Sequence, residues 1–345
     1  MKFGIIINRK MIDRSSSDPY RRLYVYLNEM EDLGYDLGWC GQHRFSSSTA
    51  FGGETATEPS APLPMLSALL ARTTTMKMST NIMLLPAHHP VEIAEEINTI
   101  NELSNNRFIL GAGIGYKPDE FENVGWGFKN RASRFEECLD ILRLALTGQK
   151  FSYDGKHFQI KNCAVTPPPL NDYTPPLWIG AVSEPAMIRA GKLGDGWLIS
   201  FAEHLTELQE KVARYKTIAA EHGRSSTLCL MRDLHIAPTR QELDPNWLPN
   251  VIKVWQSYDD LSAKADRDVL SNEVIFGGRS VTLDEFAPNR AIVGSPEDCI
   301  LEMQRIKDLI DPDYLYLTPT GVPDPDQQIK ELRLFAKEVM PHFRN

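Results

Sequence analysis

Two rhythms alternate along the chain. Residues 2–7, 36–40, 76–85, 108–110, 177–180, 197–200, 228–236 and 314–317 are apolar runs of the kind that parallel strands buried on both faces produce. Between them, apolar residues recur at helical spacing. Leu23, Tyr26, Leu27, Met30 and Leu33 mark a helix over 20–33, stopped by Gly34. Further helices are predicted at 62–73, 91–103, 132–147, 183–193, 205–222, 247–263, 295–309 and 327–339. Ser183 and Ser295 stand at N-cap positions, and Pro90 and Pro296 sit where a first turn tolerates proline. About eight strands, each followed by a helix, predict a closed (β/α)8 TIM barrel formed by residues 1–345 as one domain with insertions. One insertion is a small hairpin, with 151–153 paired to 157–160 across Asp154-Gly155. The pattern loosens between residues 244 and 291, and a polar loop rich in Ser, Thr and Gly fills 46–60.

The stretch 106–116, NRFILGAGIGY, places glycines at the carboxyl end of a buried strand, where α/β folds bind ligands. A dinucleotide fingerprint needs G-x-G-x-x-G opening directly into a helix. Gly111, Gly113 and Gly115 are spaced otherwise and lead into Tyr-Lys-Pro, so the Rossmann reading is the weaker one. The net charge of −9 gives no basic footprint for nucleic acid or anionic lipid. No apolar run spans a bilayer, and the opening residues read as a strand rather than a signal peptide, so a cytoplasmic protein is expected. The five cysteines are scattered without a C-x-x-C, and the eight histidines show no metal spacing.

Several short stretches occur together in one order: Gly38-Trp39-Cys40-Gly41-Gln42-His43-Arg44-Phe45, then Leu84-Leu85-Pro86-Ala87-His88-His89-Pro90-Val91, then Arg107 to Gly113. Arg131-Ala132-Ser133-Arg134-Phe135, Pro175 to Gly180, Leu193 to Trp197, Val293-Gly294-Ser295-Pro296 and residues 335–343 follow. Together they resemble the bacterial-luciferase-like superfamily of flavin-dependent oxidoreductases, whose members are (β/α)8 barrels.

The resemblance implies roles. His43 matches a histidine near the reactive edge of the flavin, and an imidazole suits proton transfer at neutral pH. Gln42 stands where the family carries an acid, so as the orienting group it supplies no carboxylate, and Arg44 replaces a second histidine. Ser183, at a helix N-terminus with Val182 beside it, matches a serine that holds the flavin phosphate. Arg134 matches an arginine that pairs with the same group; its alternative is a surface ion pair with Glu137 or Asp140. A second family arginine is Ile114 here, and the family's reactive cysteine is Gly113. Asn81-Ile82 falls where relatives carry a cis peptide or bulge beneath the ring system. Gly111 and Phe201 complete the cofactor-binding positions, and no metal site is expected.

The resemblance implies a monooxygenase in which reduced FMN and O2 form a C4a-peroxyflavin that oxygenates a small organic substrate. Because no NAD(P)H fingerprint is found, a separate flavin reductase would supply the reduced FMN, and a homodimer is the expected assembly. The alternatives are a deazaflavin-dependent hydride-transfer enzyme, which the missing arginine at Ile114 favours, and a non-catalytic flavin-binding relative. Residues 265–289, ahead of the Gly-Ser-Pro helix, match a mobile loop over the barrel mouth in relatives and are the expected lid.

Overall fold

The computed structural model describes residues 1–7, 9–44, 61–257, 272–274 and 277–344. Eight parallel strands close a ring in chain order: β1 (Lys2–Ile6), β2 (Leu37–Cys40), β3 (Lys77–Thr80), β4 (Phe108–Gly113), β5 (Leu177–Ala181), β6 (Gly196–Ile199), β7 (Thr227–Ile236) and β8 (Tyr314–Thr318). Each of the eight apolar runs in the sequence carries one of these strands. The ring closes where Lys2 of β1 pairs in register with Tyr314 of β8. Helices α1 (Arg21–Asp32), α2 (Pro62–Leu70), α3 (Pro90–Ser104), α4 (Arg131–Ala145), α5 (Glu184–Leu193), α6 (Leu205–Glu221), α7 (Pro296–Ile310) and α8 (Pro325–Glu338) follow the strands one by one. No helix among the described residues is long and apolar enough to cross a membrane.

Local chemistry sets the helix ends. Gly34 takes a φ of +89° after α1, a conformation that glycine adopts without strain, and its amide bonds the Glu31 carbonyl. Ser295 caps α7 in a reciprocal box with Asp298. Along α7, Cys299, Met303, Ile306 and Ile310 form the buried stripe that packs on the barrel.

Side chains fill the barrel, as layered packing requires. Trp39, Ile109, Trp178, Leu198, Cys229, Tyr314 and Tyr316 form one inner cluster, with Trp39 and Tyr316 stacked 5.7 Å apart. At the amino-terminal floor, aspartates just ahead of a strand reach the first amides of the strand beside it. Asp36 accepts from Phe3, Asp195 from Leu177 and Asp313 from Leu228, at 2.8, 3.0 and 2.8 Å. These bonds satisfy amides that begin a parallel strand with no partner below them.

Three expectations are refined. The run 76–85 breaks into β3 and a two-residue strand, Met83–Leu84, separated by a cis Asn81–Ile82 peptide. The hairpin forms as Phe151–Asp154 against Gln159–Cys163. The loosened segment contains a strand the pattern did not signal: Ala291–Gly294 pairs with the upper half of β7, from Asp233 to Ile236. With only four residues, it falls at the lower limit of a readable run.

The β7–α7 connection also holds a helix, Trp247–Ser257, whose Trp247, Val251 and Trp255 pack on Phe286, Ala291 and Val322. The rest of the predicted 247–263 helix, residues 258–263, lies outside the described residues, as do Phe45, residues 46–60 and, within the expected lid, 265–271 and 275–276. Of the remaining lid residues, Leu283–Phe286 is a short helix capped by Thr282, and Phe286 is buried against Trp255.

Candidate active site

The mouth of the barrel is assembled from loops after β2, β3 and β4. Thr80 ends β3 with its hydroxyl donating to the Gly111 carbonyl at 2.7 Å and accepting from the Gly111 amide at 3.0 Å. The strands approach so closely that a Cβ on Gly111 would lie 1.9 Å from the Thr80 carbonyl oxygen. One turn on, Ile82 lies against two glycines. A Cβ on Gly113 would meet its Cδ1 at 2.6 Å, and a Cβ on Gly180 its Cγ2 at 2.7 Å. These glycines therefore admit the chain's own β3 edge and the Ile82 side chain, which together roof the inner cluster. The Asn81 amide donates to the Cys40 carbonyl at 2.7 Å, and the Gln42 amide to the Ile82 carbonyl at 3.0 Å, so the cis bend is held from both ends.

Gln42 is buried. Its Oε1 accepts from the Leu84 amide at 2.9 Å and from His88 Nε2 at 3.2 Å. Because the acceptor is a carbonyl oxygen, the proton of His88 belongs on Nε2. Burial, with Arg44 and Arg134 nearby, pushes the His88 pKa down to about 3, so this ring is neutral at physiological pH.

The carboxylate that the sequence appeared to lack comes from elsewhere. Glu120, in the four-residue helix Asp119–Glu122 after β4, is fully buried. Its Oε1 lies 3.4 Å from His43 Nδ1 and accepts from the Arg44 amide at 2.8 Å. Its Oε2 has no hydrogen-bond partner. The His43 ring keeps 14% of its surface exposed and meets the Tyr116 ring edge-on at 6.0 Å. A carboxylate at Nδ1 places the ring proton on that nitrogen. His43 is thus held by a buried carboxylate. Glu120 was missed because it is one of three acids in four residues, and only its burial singles it out.

Arg134 opens α4 and is buried, so the alternative of a surface ion pair does not apply. Glu137 is instead engaged by the amides of Lys156, His157 and Phe158. The Arg134 guanidinium reaches the His88 carbonyl at 3.5 Å and lies under the Trp126 ring, 2.8 Å from its centroid. Its Nε has no partner, and burial lowers its pKa to about 10. Ser183 is the N-cap residue of α5, with no capping bond from its hydroxyl, and Val182 beside it is 43% exposed. Arg189 of α5 pairs with Glu136 of α4 at 2.8 Å, tying together the helices that carry Ser183 and Arg134. Ile114 packs on the main core. Phe201 belongs to a different group, the Trp255 cluster of the β7–α7 insertion, with ring centroids 5.7 Å apart.

A family model described as luciferase-like monooxygenase matches residues 1–311. The chain belongs to that family. It is 26% identical over 364 residues to the 5,10-methylenetetrahydromethanopterin reductase of Archaeoglobus fulgidus, covering 100% of both chains. In structure it resembles an F420-dependent secondary alcohol dehydrogenase in complex with an F420–acetone adduct. The TM-score is 0.76 at 18% identity, over 100% of this chain and 99% of that one. It also resembles the oxygenating constituent of 3,6-diketocamphane monooxygenase from Pseudomonas putida, a type II Baeyer–Villiger monooxygenase in complex with FMN. There the TM-score is 0.74 at 18% identity, over 99% of this chain and 98% of that one. The structural likenesses establish the barrel, and among the proteins they match are ones in complex with FMN or with an F420 adduct.

Proposed function

We propose that this luciferase-like protein is a monooxygenase that takes reduced FMN from a separate reductase. One atom of O2 goes to a small organic substrate and the other leaves as water. The observation that carries the reading is the His43–Glu120 couple, a partly exposed imidazole on a buried carboxylate at the carboxyl end of the strands. Arg134, with an uncommitted Nε, and Ser183, with an uncapping hydroxyl, fit an anionic phosphate. Asn81, Ile82 and Gly113 would flank the ring system. Bound reduced FMN supplies the activation of O2 that no side chain provides. His43 takes or returns a proton at Nε2, and Glu120 holds the opposite nitrogen. The apolar surround of Ile82 and the inner cluster keeps bulk water from that end of the site.

A second reading, hydride transfer with a deazaflavin, is favoured by Ile114, which leaves the mouth one cation short of the family pattern. Anaerobic titration with reduced FMN and with reduced deazaflavin, followed by admission of O2, separates the two. The expected result is binding of reduced FMN and O2 uptake coupled to product. Binding of the deazaflavin alone would transfer the assignment to the second reading, and binding of neither would end both.

A further inference from the structure

His88, in the loop after β3, carries a ring nitrogen that the proposed chemistry leaves unused, and a backbone amide decides what that nitrogen can do. The Leu84 amide donates to Gln42 Oε1 at 2.9 Å, which fixes the orientation of the Gln42 side chain, since its NH2 group could not accept there. An oxygen at that place only accepts, so His88 Nε2, 3.2 Å from it, carries the ring proton. The other nitrogen, Nδ1, is left as a lone-pair acceptor. It makes no hydrogen bond among the described residues and is not enclosed, so this half-buried ring offers it to a ligand at the mouth.

Two cations stand beside this acceptor. Arg44 donates to the Ala87 carbonyl at 3.1 Å, and Arg134 reaches the carbonyl of His88 itself at 3.5 Å. Burial, and then these two guanidinium groups, oppose a second proton on the ring. The labour is therefore divided. A guanidinium suits an oxyanion, whereas a neutral lone pair repels one and takes an O–H or N–H donor instead. Because Arg134 lies against the backbone of His88, a ligand that engages both side chains carries its anion and its donor only a few bonds apart.

We propose that His88 is a further cofactor-binding residue, whose Nδ1 accepts a hydrogen bond from a hydroxyl of the polyol chain next to the phosphate at Arg134. The inference rests on the reading of Arg134 as the phosphate-binding residue of a flavin site, and it names what that site selects. A ring system carrying a phosphorylated polyol, such as the ribityl phosphate of reduced FMN, satisfies both groups. A phosphate on a bare hydrocarbon chain satisfies only the arginine.

Anaerobic equilibrium titration tests it with two ligands, reduced FMN and the reduced analogue whose ribityl chain is replaced by an unsubstituted pentyl phosphate. His88→Gln can still donate to Gln42 but has no acceptor where Nδ1 stood. It should lose roughly three- to tenfold in affinity for FMN, as loss of one hydrogen bond does, and bind the pentyl analogue as the wild type does. His88→Asn, whose Oδ1 falls near the place of Nδ1, should keep most of the affinity for FMN. Arg134→Ala should weaken both ligands alike. Equal losses for the two ligands in His88→Gln, or no loss for either, would overturn the proposal while leaving the flavin reading in place. Wild-type protein that binds neither ligand would end both. In the ligand-free protein, nitrogen NMR should show His88 protonated at Nε2 and bare at Nδ1 between about pH 5 and 8. A proton on Nδ1 in that range would also overturn it.

Discussion

The two ends of this barrel solve opposite problems with the same kinds of side chain. At the floor, Asp36, Asp195, Asp313 and Glu31 spend their oxygens on backbone amides close by in the fold. At the mouth, Gln42, His88, Glu120 and Arg134 bond one another and loop backbone drawn from three different βα units. Glu120 Oε2 and Arg134 Nε are among the buried atoms there without a partner. A buried polar atom without a partner is destabilising, and the floor has such atoms too, Asn106 Oδ1 and Arg143 Nε among them. What sets the mouth apart is that its unpartnered acid and cation atoms each belong to a residue beside a histidine, His43 and His88.

The comparison can be broken most forcefully at His43. His43→Ala should lower turnover by roughly 10²–10⁴-fold, the span of general acid–base catalysis, with flavin affinity nearly intact. Glu120→Gln should lower it less and move the pH profile, because the ring keeps a neighbour but loses the charge that fixes its tautomer. Normal turnover in both variants would reduce the couple to packing. Next in size is Arg134→Ala, expected to weaken FMN binding by about 1.5–3 kcal/mol, measured by equilibrium titration. Trp126→Ala should have no such effect, since it uncovers the guanidinium rather than removing it. If the Trp126 variant loses as much affinity as the Arg134 variant, the ring and not the cation makes the contact.

At the floor, Asp313→Ala strands the Leu228 amide and should lower unfolding free energy by about 1–3 kcal/mol, with turnover per folded molecule unchanged. A loss of activity beyond the loss of folded protein would erase the distinction between the ends.

The effects that are small at neutral pH are in pH dependence, and they differ in window. His88 is held neutral when folded, with its pKa near 3 against an ordinary value of 6.5. The unfolded chain therefore takes up its proton first, and stability drains as pH falls from 6.5 toward 3. Burial alone would raise the pKa of Glu31, yet the amides of Met76, Thr75 and Thr74 outweigh it and carry the value from 4.5 to about 2. Its contribution is present above 4.5 and is lost as pH falls toward 2. Denaturant melts across these ranges should lose the first slope in His88→Asn and the second in Glu31→Gln. Identical curves for all three proteins would show that neither group is linked to folding.

How much of this was legible depends on how local the cause is. The eight strands showed plainly, because burial on both faces forces continuous apolar runs such as Phe108 to Leu110. The caps at Gly34 and Ser295 showed because they act within one turn. His43 and Gln42 were found through a motif, but their partners were not, since Glu120 reaches His43 across 77 residues of chain. No periodicity announces that the second of two adjacent acids, Asp119 and Glu120, is buried. The ring of Trp126 over Arg134 is equally a product of tertiary packing and leaves no trace in spacing.

The pairing of Lys2 with Tyr314 joins residues 312 positions apart. On a ribosome working at about 5–20 residues per second, the first strand waits some tens of seconds for the partner that closes its open side. Through that interval the nascent barrel is an unclosed sheet with β1 at a bare edge, apolar on both faces and able to pair with any extended segment nearby. Until the last strand emerges, that edge is the part of the nascent barrel with its pairing still open.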